Sequence, residues 1–548
     1  MRVLLMGDGG GPLGVGHVIR ALALAEAAVA AGHDVVVAGH FEGSFLLSQL
    51  AAAPVEVVQL AEPLANGDPQ PFIDLVGRLR PDVLHVDSYE APVRLREVAA
   101  SLGVGAMLGT VVLSNVEDGT FGRRPADVVV DPTLGAELSA RPDDGSTWLL
   151  RGSRYAPMRQ RVMDARHRAT DDSDGTAVEI PVEDGARTVL VVMGGTDPVG
   201  LAPAAVELLA RTGLALQVTV IAVGENAERV RAAAGGTALS LRVLAPVGDL
   251  AATMSGQDLV VSAAGSSVWE LCCIGVPMAL VCAVDNQRVG YDRVVAAGAA
   301  VGLGGPGLGG PGLGGDERAV GLLRSALTDS RVRAALMLAG RQVVDGLGAW
   351  RVVAMWEQAH RLGPSAARPV SSMHEPSNRL TARRARMDDA RLLWEWRNDP
   401  GARAGSRNAD MVPWPQHLAW LESSLTREDR MLLVVEDIVG PVGTARWDLG
   451  RHGEWEVSIT VAPDRRGQRL AGPLLRAAEV ARSEVAGSSG TEVTAYLAVV
   501  HVDNVASVRM IETSAYVPDL PPDPTGFMRF RKAAPGSLTS MSRPWESA

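Results

Sequence analysis

Short apolar runs open the chain, at Val3 to Met6, Asp34 to Ala38, Val55 to Leu60, Val83 to Val86, Gly105 to Leu108 and Val128 to Val130. They alternate with helix-like stretches such as Ala21 to Ala31. Apolar runs that do not alternate with polar residues belong to strands buried on both faces, so the pattern predicts a parallel sheet covered by helices. After a polar stretch, Ala169 to Gly185, the pattern restarts with a strand at Thr188 to Met193, a turn at Gly194 to Pro198 and a helix at Leu201 to Ala210. Further strands follow at Gln217 to Val223 and Leu259 to Ser262. The simplest architecture is α/β, with two doubly wound Rossmann-like domains, residues 1–168 and 186–362, and a cleft between them. Ligands of such folds sit at the carboxyl ends of strands, where both glycine turns lie.

The repeated Gly-Leu-Gly-Gly-Pro stretch at 302–315 reads as a low-complexity loop that buries no core. Helices resume from Glu317 to Leu362, and the Pro/Ser/Ala-rich residues 363–378 read as a linker. Seven of the eleven tryptophans follow residue 379, which marks a separate mixed α+β domain at 379–532. Helices are expected near Asp388 to Trp396 and Pro415 to Leu425, and strands at Met431 to Glu436, Gly443 to Asp448 and Glu454 to Val461. A further helix begins near Leu470, and 533–548 reads as a disordered tail.

Composition narrows the chemistry. The net charge of −11 falls entirely on the first 378 residues, because residues 379–548 carry 22 basic and 22 acidic side chains. Neither part has the basic surplus of a nucleic-acid binder. No apolar stretch is long enough to span a bilayer and no signal segment opens the chain, so no membrane partner and a cytoplasmic location are expected. Cys272, Cys273 and Cys282 share one apolar region without metal-ligand spacing, and no His/Asp/Glu cluster implies a metal. Lys532 is the only lysine and no Walker sequence exists, which excludes P-loop ATPase chemistry.

Two turns carry the candidate chemistry of the first part. The strand Val3 to Met6 runs through a glycine-rich turn containing Gly14 and Gly16 to deliver His17 at a helix start, where an imidazole can take a proton near neutral pH. Arg20 lies one helical turn on, as a substrate or phosphate contact or as a surface arginine. The second turn, Gly265-Ser266-Ser267, ends a strand and begins a helix, so its amides can hold a diphosphate. Glu270, one turn later, can accept hydrogen bonds from ribose hydroxyls, or is merely solvated.

The order of these segments, together with Val86-Asp87-Ser88-Tyr89, Leu150 to Pro157, Gly194 to Pro198 and Asp285-Asn286-Gln287, resembles the UDP-sugar hydrolases of pseudaminic acid biosynthesis over roughly residues 1–362. That family is similar in fold to GT-B glycosyltransferases, including the enzyme that makes lipid II. The resemblance implies UDP-2,4-diacetamido-2,4,6-trideoxy-β-L-altropyranose as substrate, attack of water on the anomeric carbon, and His17 as the general base. It places Asp87 and Tyr89 on the sugar side and Asn286 and Gln287 against sugar or phosphate. The glycine turns, including Gly194 and Gly195, would admit the substrate to the backbone. The family often carries a second pair of aspartates after the Asp-Ser-Tyr strand; the corresponding strand here reads Met107-Leu-Gly-Thr-Val111, without it.

In the last domain, the strand ending at Val461 leads into Arg466-Gly467-Gln468-Arg469-Leu470-Ala471 and then a helix, a cradle of amides suited to a pyrophosphate. The arrangement resembles the GNAT N-acetyltransferases, whose motif runs R-G-x-G-x-G/A, with Arg469 in place of a glycine. The resemblance implies acetyl-CoA as co-substrate, held by Val461, Arg466, Gly467, Gln468, Arg469, Leu470, Ala471 and Asn504. Trp396 to Asp399, His417 to Trp420 and Asn504 to Ser507 are similar to sugar 4-amino acetyltransferases of the same pathway. The general-acid tyrosine of many GNAT enzymes would fall near Met510 or Ile511, and Glu456 is a candidate base through water or a solvated strand residue. Together the resemblances imply a bifunctional nucleotide-sugar enzyme. The alternative is a GT-B glycosyltransferase needing an acceptor, with a degenerate GNAT domain.

Overall fold

The structure, a computed structural model, describes residues 1–10, 13–63, 70–89, 91, 111–171, 187–194, 197, 199–308, 313, 317–363, 380–404, 408–489 and 493–534. The strand expected at Gly105 to Leu108, the residue Gly195 and nearly all of the linker lie outside them. The chain divides into two compact units, Met1–His360 and Arg361–Ala548.

The first unit holds two parallel sheets. In one, β1 (Arg2–Met6), β2 (Asp34–Gly39), β3 (Glu56–Gln59), β4 (Val83–Val86), β5 (Val112–Val116), β6 (Val128–Asp131) and β7 (Trp148–Arg151) take the order β3-β2-β1-β4-β5-β6-β7. In the other, β8 (Arg187–Val192), β9 (Leu216–Ile221), β10 (Ser240–Leu244), β11 (Leu259–Ala263), β12 (Met278–Val281) and β13 (Val301–Gly302) take the order β10-β9-β8-β11-β12-β13. Both are doubly wound sheets, as the apolar runs predict. Their central strands are buried throughout because helices cover both faces. Strand order reverses between β1 and β4 in the first sheet and between β8 and β11 in the second, so each sheet has a crevice at the carboxyl ends of those strands.

The strand paired with β4 is Val112–Val116, which the sequence pattern did not mark, and its Ser114 and Asn115 are buried with hydrogen-bond partners: Ser114 Oγ meets His85 Nδ1 at 2.9 Å, and Asn115 Oδ1 accepts from Arg124 at 2.6 Å. The glycine-rich stretch, expected to bury no core, does contribute to it at two described residues, since Leu303 and Leu313 are buried with the second sheet's helices. Its glycines permit this: a Cβ on Gly305 would lie 2.4 Å from the Cys282 carbonyl oxygen. The three cysteines are free and buried.

The second unit is a mixed sheet of β14 (Thr381–Arg384), β15 (Arg430–Asp437), β16 (Gly440–Leu449), β17 (Glu454–Val461), β18 (Ala495–His501), β19 (Val517–Leu520) and β20 (Phe527–Ala533), ordered β14-β15-β16-β17-β18-β20-β19. Among the described strands of this sheet, only β17 and β18 pair in parallel. The helix Ala471–Ser489 packs on this sheet through Leu474, Leu475 and Ala478. Ala533 ends β20 and Ala534 is buried, so the ordered domain runs past the expected start of the tail.

Candidate active site

In the first unit, the turn after β1 is crowded: a Cβ on Gly9 would sit 2.6 Å from Val18 Cγ2. Gly14 has φ +71, a backbone region that favours glycine. The turn leads into the helix Gly16–Ala30, which has no side chain capping its first amides. His17 is thereby held at the β1/β4 crevice with Asp87, the residue after β4.

The Nδ1–H of His17 donates to Asp87 Oδ1 at 2.6 Å. Arg20 donates to the same carboxylate twice, Nη2 to Oδ1 and Nε to Oδ2, both at 2.8 Å. Arg20 Nη2 also lies 3.1 Å from His17 Nδ1, but both are donors and converge on Oδ1. Nε2 is therefore the nitrogen left to accept a proton. The Tyr89 ring stands edge-on to His17, with centroids 4.6 Å apart. Its hydroxyl donates to Asp118, and Arg20 Nη1 reaches Asp118 Oδ2 at 3.1 Å.

Burial raises the Asp87 carboxyl, but the charges and hydrogen bonds of Arg20 and His17 outweigh it and hold Asp87 well below the usual range. Burial and the Asp118 charge push the Tyr89 phenol up, so it stays a donor. Arg20 is no surface arginine: its side chain is 14% exposed and fully engaged. Asp87, expected on the sugar side, turns both oxygens towards His17 and Arg20.

Asp118 is the residue the sequence reading missed. It follows Glu117 directly after β5, a glutamate–aspartate pair at the end of a strand that the sequence pattern did not mark. Glu117 is buried and bound by Arg141, with Nε to Oε1 at 2.8 Å, which leaves Asp118 to face Arg20 and Tyr89.

The second crevice faces the first. The helix Ser267–Ile274 begins without a side-chain cap, and a Cβ on Gly16 would meet Ser266 Oγ at 3.6 Å, so the two turns approach each other across the cleft. Gly194 (φ +82) sits at the end of β8. Arg161, Ser266, Ser267 and Glu270 line the same cleft as Gly16 and Arg20. Arg161 donates to neutral acceptors, Gln49 Oε1 at 2.8 Å and the Gly248 carbonyl at 2.6 Å, and its charge acts on the Glu270 carboxyl in the same cleft. Burial raises the Glu270 carboxyl. Gln287 Oε1 accepts from the Ala283 amide at 3.0 Å, while Asn286 is exposed.

In the second unit, β17 and β18 pair only from Glu454/Ala495 to Val457/Ala498, although both strands continue. Beyond that point the parallel strands part, and Val461 and the turn 466–471 lie at the open end. A Cβ on Gly467 (φ +78) would meet nothing within 4 Å, so the turn has room for a ligand at its backbone. Arg469 has φ +57, a backbone conformation that suits glycine. Arg466 is tied to Asp399 at 2.6 Å. Asn504 accepts from the Ser507 amide at 3.1 Å and so caps the helix Val505–Thr513. Tyr516 is buried with its hydroxyl on Glu479, 2.9 Å away. Glu456 is exposed.

Residues 391–515 match the model of the acetyltransferase (GNAT) family. Over 239 residues the chain is 24% identical to the spore coat polysaccharide biosynthesis protein SpsG of Bacillus subtilis strain 168, covering 43% of this chain and 66% of that protein, just under two thirds of its length. Among solved structures, MurG of Acinetobacter baumannii is similar at 19% identity over 65% of this chain and 99% of its own, with a TM-score of 0.44. The spermidine N-acetyltransferase of Vibrio cholerae, solved with CoA and spermine, is similar at 17% identity over 29% of this chain and 98% of its own, with a TM-score of 0.27. Among the described residues, no helix is long and apolar enough to cross a membrane, and no group of three or more His, Cys, Asp and Glu is placed to hold a metal. Residues 391–515 of the C-terminal unit match the GNAT acetyltransferase family, and the N-terminal unit is an α/β fold of two doubly wound sheets.

Proposed function

We propose that the first unit hydrolyses a UDP-linked 2,4-diacetamido-2,4,6-trideoxyhexose to free sugar and UDP, and that the second acetylates the 4-amino sugar nucleotide from acetyl-CoA. The observation that carries the first half is the His17–Asp87 dyad at 2.6 Å, placed at a strand-order reversal and facing an uncapped helix start. His17 Nε2 takes a proton from water as the water oxygen bonds to the anomeric carbon. The bond from that carbon to the diphosphate oxygen breaks, and its electron pair leaves with UDP. Asp87 holds the imidazole in the accepting tautomer and stabilises the imidazolium. The helix start at Ser267 and the Arg161 charge stabilise the departing diphosphate, while Glu270 receives ribose hydroxyls.

For the second half, the open ends of β17 and β18 and the turn 466–471 fit a diphosphate carried on a narrow chain. Acetyl-CoA would supply the acetyl group there. The domain's own contribution is placement of amine beside thioester, since the described tyrosines Tyr496 and Tyr516 are buried in the core.

The test is to incubate the chain with the UDP-4-amino sugar, with and without acetyl-CoA, and follow acetylation and free UDP. UDP release that needs acetyl-CoA and disappears in His17→Ala supports both activities in sequence. Acetylation without UDP release would point to an acceptor-dependent transferase.

A further inference from the structure

The cluster around His17 contains one more carboxylate than the dyad needs. Arg20 forms a doubly bonded pair with Asp87, which is neutral as a unit, and its third nitrogen reaches Asp118. With His17 neutral, the four groups His17, Asp87, Arg20 and Asp118 sum to one negative charge. With His17 protonated they sum to zero. All four side chains are poorly exposed, at 10%, 1%, 14% and 25%, so an unbalanced charge among them is not cheaply screened by water.

Resting on the hydrolytic reading above, we propose that Asp118 is a positioning residue which, through Arg20 and Tyr89, supplies the negative charge that balances the His17 imidazolium as it forms. Without Asp118, the Asp87 charge would be consumed by Arg20 alone.

The surrounding charges leave this role to Asp118. Glu117, its neighbour, sits in a separate ion-pair group in which Arg141 and Arg123 balance Glu117 and Asp144. On β4, buried His85 stays neutral, because burial lowers it to about 4. Arg124 is buried against Asn115 and the carbonyls of Ser88 and Ala91, and adds a positive charge that further favours a compensating anion. Arg159 is paired with Glu26 on the helix that carries His17, and Arg161 and Glu270 line the cleft beside Ser266 and Ser267.

Tyr89 completes the device. Its hydroxyl hydrogen bond fixes the Asp118 carboxylate, and its ring borders His17, so the orientation of one acid is coupled to the face of the imidazole. A tight turn holds Asp118 in place: its amide donates to the Phe121 carbonyl at 3.0 Å, and Gly119 follows at φ +65.

The experiment compares the full chain with Asp118→Asn, Asp118→Glu and Tyr89→Phe. UDP-sugar hydrolysis is followed across pH, and the His17 ring is titrated by NMR without substrate, its signal identified by its loss in His17→Ala. Removing the negative charge disfavours the imidazolium, so in Asp118→Asn the acid limb of kcat/KM and the ring titration both move to lower pH by about one unit. Asp118→Glu restores the wild-type midpoint, and Tyr89→Phe shifts it in the same direction by less. An unchanged midpoint in Asp118→Asn, whatever the rate, overturns the proposal. If the chain hydrolyses no UDP-sugar, the ring titration alone decides, so the failure of the hydrolytic reading and of this one are separable. If Asp118→Asn does not fold, Tyr89→Phe carries the comparison, and an unshifted midpoint there overturns the proposal.

Discussion

Replacing Asp87 by Asn keeps the size of the side chain and removes its ability to accept at both ends. In the native site Oδ1 accepts from His17 Nδ1–H and Arg20 Nη2, and Oδ2 accepts from Arg20 Nε. An asparagine amide turned towards His17 places a donor against Nδ1, which forces the proton onto Nε2 and removes the base. Turned the other way, it places a donor against Arg20 Nε. General-base assistance contributes about 10²–10⁴-fold, or about 3–5 kcal/mol of barrier. Breaking a buried ion pair costs about 3–5 kcal/mol of stability. Asp118 retains part of the Arg20 pairing, so the stability loss should fall at or below the lower end. The assay is steady-state release of UDP from the diacetamido sugar nucleotide, with urea unfolding of the same sample. The expected result is a fall in kcat of at least 10²-fold with KM little changed. A folded Asp87→Asn that keeps more than a tenth of wild-type kcat would refute the dyad.

Three further outcomes follow from particular residues. His85, held near 4 by burial against an ordinary 6.5, refuses a proton that the unfolded chain accepts, so stability is lost as pH falls below about 6.5. Between pH 7 and 5 its share is about 2 kcal/mol, read as a smaller acid-induced drop in the urea midpoint of His85→Gln than of wild type. Arg469→Gly removes a left-handed arginine and should stabilise the second unit by about 0.5–1 kcal/mol after glycine's own entropy cost; a lower denaturation midpoint would contradict the strain argument. Glu270→Ala should weaken UDP binding by about tenfold in calorimetry, the size of one hydrogen bond to a charged group, and unchanged affinity would remove Glu270 from the ribose site.

The parallel sheets were legible because their central strands are uniformly apolar: Val3 to Met6 and Val83 to Val86 can hardly be read otherwise. β5 was not marked because Ser114 and Asn115 interrupt its apolar run. Both are satisfied by partners distant in sequence, Ser114 by His85 and Trp356 and Asn115 by Arg124, which no local pattern reveals. Without β5, Asp118 stayed hidden, since an acidic residue acquires meaning only at the end of a strand beside β4. The loop 302–315 misled for the opposite reason: its composition reads as open chain, yet two of its leucines find the core. In the second unit the glycine position at 469 was visible in the motif, and the backbone there agrees with it. The capping role of Asn504 emerges only from its bond to Ser507.

The most direct test of the account is the fate of the water oxygen. The acetylated UDP-sugar is incubated with the chain in ¹⁸O-water and both products are weighed by mass spectrometry. Attack at the anomeric carbon by water activated at His17 predicts one ¹⁸O in the free sugar, none in UDP, and no product in His17→Ala. Label in the UDP phosphate, or turnover undiminished in His17→Ala, would contradict it.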